Sequence, residues 1–163
     1  MIEAWLVSIG IVALAEIGDK TQLLTLVLAA RYRKPWPIVA GIFLATLVNH
    51  GIAGAVGAWL TRTIGPDAMR WILGISFIAM AAWMLVPDKL DEDDSAERRL
   101  GGVFLSTLVL FFLVEIGDKT QIATVALAAR FDSLLAVVMG TTIGMILANA
   151  PVAFFGEALA RRL

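Results

Sequence analysis

Residues 14–31 read LAEIGDKTQLLTLVLAAR, and residues 113–130 read LVEIGDKTQIATVALAAR. Thirteen of the 18 positions are identical at a constant offset of 99, and the heptapeptide EIGDKTQ at 16–22 returns letter for letter at 115–121. The register continues outward: Gly41 matches Gly140, Gly57 matches Gly156, Leu60 matches Leu159, and His50 falls opposite Asn149. The pattern is that of an internal duplication, with three charged residues set inside a long apolar run in each copy.

The apolar surroundings decide the class. The 163 residues are 60% hydrophobic, and the mean hydropathy is +0.86, well above the apolar share of an ordinary soluble domain. Apolar stretches of about 20 residues recur, the length a helix needs to cross a bilayer. An all-α membrane protein is expected; no series of short alternating strands suggests a barrel. The opening MIEAWLVSIG carries Glu3 and no basic residue, so it lacks the basic start of a cleaved signal peptide, and the first apolar stretch is expected to stay as a transmembrane helix. There is no cysteine, which removes disulfides, thiolate metal sites and cysteine nucleophiles.

Five membrane segments follow from the hydropathy, at about 3–30, 36–61, 68–87, 101–130 and 134–160. Pro35, Pro37, Pro66 and Pro87 sit at segment ends, as boundary prolines do. Orientation follows from the bias of Lys and Arg between loops. With the N-terminus outside, the inner side holds Arg31, Arg33, Lys34, Lys89, Arg98, Arg99, Arg161 and Arg162; the outer side holds only Arg62, Arg70 and Arg130. The N-terminus is therefore expected outside, in the inner (plasma) membrane of a bacterium.

Three segments separate the starts of the two copies, so the second copy enters the membrane from the opposite side. The expected architecture is an inverted repeat of three-helix bundles, with a substrate site where the halves meet near the midplane. Residues 1–87 form the first repeat with three transmembrane helices. Residues 88–100 form a charged cytoplasmic linker. In the second repeat, 101–163, two transmembrane helices are recognisable, and no counterpart of WILGISFIAMAAWMLVP appears before Leu163. The uncovered flank carries an expectation either of self-association into a homo-oligomer or of residues beyond Leu163 that cover it.

On a continuous helix, Glu16 and Asp19 (i, i+3) and Glu16 and Lys20 (i, i+4) would share one stripe. Ions at bilayer depth cost a few kcal/mol or more unless partnered, so the stripe must face protein or water. Gly18 within it allows close approach of another backbone or a local break in the helix. Pooled over both copies, Glu16, Asp19, Glu115 and Asp118 against Lys20 and Lys119 leave a formal charge of −2, which a divalent cation would neutralise. The hydroxyls of Thr21 and Thr120 and the amides of Gln22 and Gln121 add hard oxygens. That donor set suits Ca²⁺, Mg²⁺ or Mn²⁺ better than Zn²⁺ or Cu⁺. Crowded carboxylates also take up protons, so protonation can compete with the metal. Purely structural pairing of Glu16 with Lys20 and of Glu115 with Lys119 would leave Asp19 and Asp118 unexplained.

The duplicated E-x-G-D-K-T motif resembles that of the Gdt-one-like membrane family of Mn²⁺/Ca²⁺–proton antiporters, which includes bacterial manganese exporters. The resemblance spans nearly the whole chain. It implies that Glu16, Asp19, Glu115 and Asp118 bind the transported cation, with Thr21, Thr120, Gln22 and Gln121 close by, and that six helices form an inverted pair of bundles. It also implies Mn²⁺ as the main substrate, exported against proton entry, with Ca²⁺ as the other candidate.

Other features carry less. His50, the single histidine, follows Asn49 in LVNHGIAG and reads either as a ligand or proton relay or as a packed core residue; Asn49 and Asn149 either lend oxygens to the site or join helices. Gly51, Gly54, Gly57, Gly140 and Gly144 read as close-packing positions, and Trp5, Trp36 and Trp71 as interfacial anchors. The run Asp91–Asp94 lacks the spacing of a calcium loop and reads as solvated linker. No catalytic nucleophile–base pair, nucleotide loop or nucleic-acid patch is present, and no cofactor is expected beyond the transported ion. A divalent cation channel and a non-transporting scaffold are the competing functions. Lysines in a pore would oppose the first, and the buried charges would go unexplained in the second.

Overall fold

The computed structural model describes residues 1–85 and 102–162; the linker at 88–100, its acidic run and its basic residues lie outside them. Seven helices are found among the described residues: α1 (Ile2–Glu16), α2 (Lys20–Tyr32), α3 (Pro35–Thr63), α4 (Pro66–Met84), α5 (Val103–Glu115), α6 (Lys119–Arg130) and α7 (Leu134–Arg162). The protein is all-α, and three stretches, Pro35–Thr63, Pro66–Met84 and Leu134–Ala158, are each a helix long and apolar enough to cross a membrane.

The two motif-bearing segments differ from expectation. Neither 3–30 nor 101–130 is one helix; each is two, broken within the motif. The single stripe of Glu16, Asp19 and Lys20 therefore does not form. The cause is local. Ile17 at φ −61°, ψ 115° and Gly18 at φ 76° make a type II turn, which demands a positive φ at its third residue and so a glycine. The Asp19 amide closes the turn onto the Glu16 carbonyl at 2.9 Å. Asp19 then caps α2, its carboxylate accepting the Lys20 amide at 2.8 Å, the place where aspartate is favoured. Gln22 reaches back to accept the Gly18 amide at 2.8 Å. The second copy repeats each element: Ile116 at φ −62°, ψ 119°, Gly117 at φ 78°, Asp118 as cap, and Gln121 accepting the Gly117 amide at 2.6 Å. The heptapeptide encodes a helix break that satisfies its own freed backbone groups, which is what irregular backbone at membrane depth requires.

The offset of 99 also organises the packing. α1 packs on α7 as α5 packs on α3, and α2 packs on α7 as α6 packs on α3, while α3 and α7 meet each other. Each repeat thus lays its broken helix against the other repeat's long helix. The crossings match residue for residue. A Cβ on Gly41 would lie 2.9 Å from the Thr107 Cβ, and one on Gly140 would lie 2.8 Å from the Ser8 Cβ; Ser8 and Thr107 are themselves 99 apart. Gly54, Gly57 and Gly144 are equally tight, whereas Gly51 has open space around it and is not a packing position.

The outer surface differs from that of a soluble bundle. Leu6, Leu14, Ile52, Ile75, Ile78, Leu135 and Phe155 are more than half exposed and form the kind of surface a bilayer solvates. Trp36 and Trp71 are each 73% exposed, at the starts of α3 and α4. One apolar cluster, with Val12, Leu24, Ile42, Phe111, Val114 and Met145, joins α1, α2, α3, α5 and α7. Beside it lie the buried hydroxyls, amides and charges.

Candidate metal centre

Both motif glutamates are fully buried, Glu16 at the C-terminal end of α1 and Glu115 at that of α5. Both motif aspartates are 2% exposed at the N-termini of α2 and α6. Each break thus sets the free carbonyls of one helix end and the free amides of the next beside carboxylates. Glu16, Asp19 and Asp118 converge: one carboxylate oxygen from each lies within 4.8 Å of the others. Asp118 belongs to the second copy, so this cluster joins the two repeats. Glu115 stands outside it.

Glu16 draws its neighbours from its own break and from the facing long helix, while those of Glu115 come from the facing long helix. The Thr21 hydroxyl donates to Glu16 Oε2, and Asn149 Nδ2 donates to the same oxygen at 3.1 Å. Asn149 is fixed in turn by the Thr25 hydroxyl, which donates to its Oδ1 at 2.7 Å. In the second copy the Thr46 hydroxyl donates to Glu115 Oε1 at 2.9 Å, and His50 Nε2 lies 4.0 Å from that oxygen. Gln22 Nε2 donates to the Ala148 carbonyl at 3.2 Å; Gln121 Nε2 donates to Asn49 Oδ1 at 2.7 Å. Asn49 and Ala148, like His50 and Asn149, are 99 apart. The geometry is repeated while the side chains differ.

Thr120 is fully buried, with its hydroxyl 3.5 Å from Asp118 Oδ2. The lysines part company. Lys119 is 4% exposed, with Nζ 5.7 Å from the centre of the Trp83 ring on α4; Lys20 is half-buried. A cavity of about 200 Å³ reaches Asp19 from outside, lined also by Ile17, Gly18, Met84 and Lys119. Thr25 and Thr46 were not singled out from the sequence. Thr25 carried a signal, its match to Thr124 at the offset of 99, but Thr46 falls opposite Met145 and carried none.

A buried group of carboxylate, hydroxyl and amide oxygens, open on one side through a small cavity, can take a hard divalent cation or protons. Comparison with known proteins points the same way. A family model described as "Divalent cation/proton antiporter GDT1" matches residues 4–92 and 103–163. A Vibrio cholerae serotype O1 protein named "Putative manganese exporter" is 53% identical over 158 residues, covering 96% of this chain and 78% of that protein. A GDT1-like protein of Synechocystis is 28% identical over 167 residues, covering 91% of this chain and 79% of its own length. GDT1-like protein 3 of Arabidopsis thaliana is 25% identical over 181 residues, covering 96% and 61%. No solved structure matches the chain.

Proposed function

The chain belongs to the divalent cation/proton antiporter GDT1 family, and on that premise we propose that it exports Mn²⁺ across a bacterial plasma membrane in exchange for protons. It is an integral membrane transporter of divalent cations. The finer assignment is supported above all by one observation: Glu16 and Asp19 of the first copy meet Asp118 of the second, all buried, with oxygens within 4.8 Å. Such a cluster is favourable to a cation or to protons, because two adjacent carboxylates resist being ionised together. Occupation by one excludes the other, which is the elementary requirement of exchange.

In this proposal Glu16, Asp19 and Asp118 are the principal ligands. Thr21, Thr120, Gln22 and Gln121 orient the breaks, Lys20 and Lys119 balance charge, and Glu115 receives the ion or the proton from the facing half. Mn²⁺ is preferred over Ca²⁺ because the Vibrio relative is named for manganese. The two breaks enter from opposite faces of an inverted repeat whose N-terminus is outside, so rocking one half against the other exposes the cluster to each side in turn.

The test is flux into proteoliposomes under an imposed pH gradient. Exchange requires Mn²⁺ movement that accelerates with an opposing proton gradient and that acidifies or alkalinises the lumen in step. Mn²⁺ conductance indifferent to the gradient identifies a channel, and no flux at all refutes transport.

A further inference from the structure

We propose that Glu115, His50 and Thr46 form a second cation pocket, distinct from the Glu16–Asp19–Asp118 cluster, whose imidazole selects a first-row transition ion over Ca²⁺. The inference rests on the proposed cation transport and adds to it a selectivity element on α3. His50 is fully buried, and among the described residues neither of its ring nitrogens has a hydrogen-bond partner. Glu115 is also fully buried, and its Oε2 has none either. Buried polar atoms are normally satisfied, and three unsatisfied ones on two facing residues call for a common cause.

The separation supplies it. His50 Nε2 lies 4.0 Å from Glu115 Oε1, too far for a hydrogen bond. Two donors bound to one ion at about 2.1 Å each stand about 3.0–4.1 Å apart for angles between about 90° and 150°. The Thr46 hydroxyl, 2.9 Å from the same carboxylate oxygen, adds an oxygen donor. The equivalent place in the other half provides the contrast. There Asn149, the counterpart of His50, comes within 3.1 Å of Glu16 and donates a hydrogen bond, so the two side chains satisfy each other directly.

The two pockets therefore differ in chemistry. The first offers only oxygen. The second offers a carboxylate, a hydroxyl and an imidazole nitrogen. Ca²⁺ and Mg²⁺ take oxygen donors, whereas imidazole suits first-row transition ions such as Fe²⁺, Ni²⁺, Cu²⁺ and Zn²⁺, with Mn²⁺ the weakest binder of that row. An ion passing through both would be screened once for charge and size and once for its affinity for nitrogen.

The chain holds a single histidine, so imidazole nitrogen coupling to bound Mn²⁺ can come from His50 alone. Pulsed electron paramagnetic resonance on Mn²⁺ bound to the full chain, purified without a histidine tag, should show that coupling. In His50→Asn, which copies the first half, the coupling should vanish. The ratio of Mn²⁺ to Ca²⁺ affinity should fall about 10–100-fold, at least the loss typical of altering a metal's surroundings. Mn²⁺ bound and transported by the wild type with no nitrogen coupling would overturn this inference while leaving the transport proposal standing. An unchanged ratio in His50→Asn would do the same. Absence of Mn²⁺ binding and flux in the wild type would overturn both. The wild-type spectrum decides even if the variant does not fold.

Discussion

Asn149 Nδ2 donates to Glu16 Oε2 at 3.1 Å, so the motif glutamate of the first repeat is oriented by the long helix of the second. The relation recurs in the other direction, where Thr46 on α3 donates to Glu115 on α5 at 2.9 Å. Neither half holds its own acid alone, and that interdependence shapes what single substitutions should do.

Asp19→Asn and Asp118→Asn should each remove most Mn²⁺ transport, even though each leaves one EIGDKTQ copy intact. Both oxygens belong to the same 4.8 Å cluster. Losing one charge from a shared cation site should weaken binding on the order of 100-fold, about 2.7 kcal/mol. Proteoliposome uptake and calorimetry on the two variants check this; near-wild-type flux in either means the copies work separately.

Gly18→Ala should lower the melting temperature although the new methyl meets nothing within 4 Å. The cost is conformational: at φ 76° an L-residue with a Cβ is strained by about 1–2 kcal/mol. Gly117→Ala should behave alike at φ 78°, and Gly18→Asn should cost less because asparagine tolerates that region. Gly10→Ala, inside α1 with equal space and no positive φ, should be neutral or slightly stabilising. Thermal unfolding in detergent compares the four, and equal losses at Gly10 and Gly18 would remove the turn from the explanation.

Mn²⁺ affinity should fall as pH falls, and binding should release protons. Carboxylates ligate in their ionised form, so a proton on Glu16, Asp19 or Asp118 must leave before the metal enters. Acidification fills those oxygens with protons and weakens binding; alkalinisation strengthens it until the cluster is fully ionised. Calorimetric titration in two buffers of unlike ionisation enthalpy measures both effects. An affinity indifferent to pH, with heats indifferent to buffer, would rule out competition at this cluster.

Much of this was legible in EIGDKTQ and its return 99 residues later. The duplication, the helical class and the list of buried acids follow from spacing and hydropathy alone. The break was legible only as an option, since a glycine between apolar residues serves close packing as readily as a turn. What decides is Ile17-Gly18-Asp19 as a unit, a type II turn followed by a cap, which overrides the helical periodicity on either side. The partition of the acids was not legible. A charge sum cannot say that Asp118 joins Glu16 and Asp19 while Glu115 faces Thr46 and His50, because that depends on how α3 and α7 cross the broken helices. The unequal pairs His50 with Asn149 and Thr46 with Met145 were visible as mismatches in the repeat, but only the packing gives them neighbours.

Asn149 offers the sharpest test of where the ion sits. Asn149→Ala removes the donor to Glu16 and one of the two acceptors within reach of the Thr25 proton, and the Thr25 hydroxyl then donates to the Thr21 carbonyl at 2.9 Å. The loss falls chiefly on Glu16, which keeps the Thr21 hydroxyl on the same oxygen and gives up one hydrogen bond, about 0.5–1.5 kcal/mol. Asn149→Asp keeps the shape and adds a carboxylate where the amide stood. Without metal it sets like charges side by side in a buried site, so the variant should unfold at a lower temperature than the wild type. A cation between them reverses the sign, because the added charge attracts it. Saturating Mn²⁺ should therefore raise the melting temperature of Asn149→Asp by more than it raises that of the wild type or of Asn149→Ala, in line with the mass-action stabilisation given by a ligand of the folded state. Thermal unfolding of the three proteins over a Mn²⁺ series reads this directly. If Asn149→Asp gains no more from Mn²⁺ than Asn149→Ala does, the ion does not bind beside Glu16.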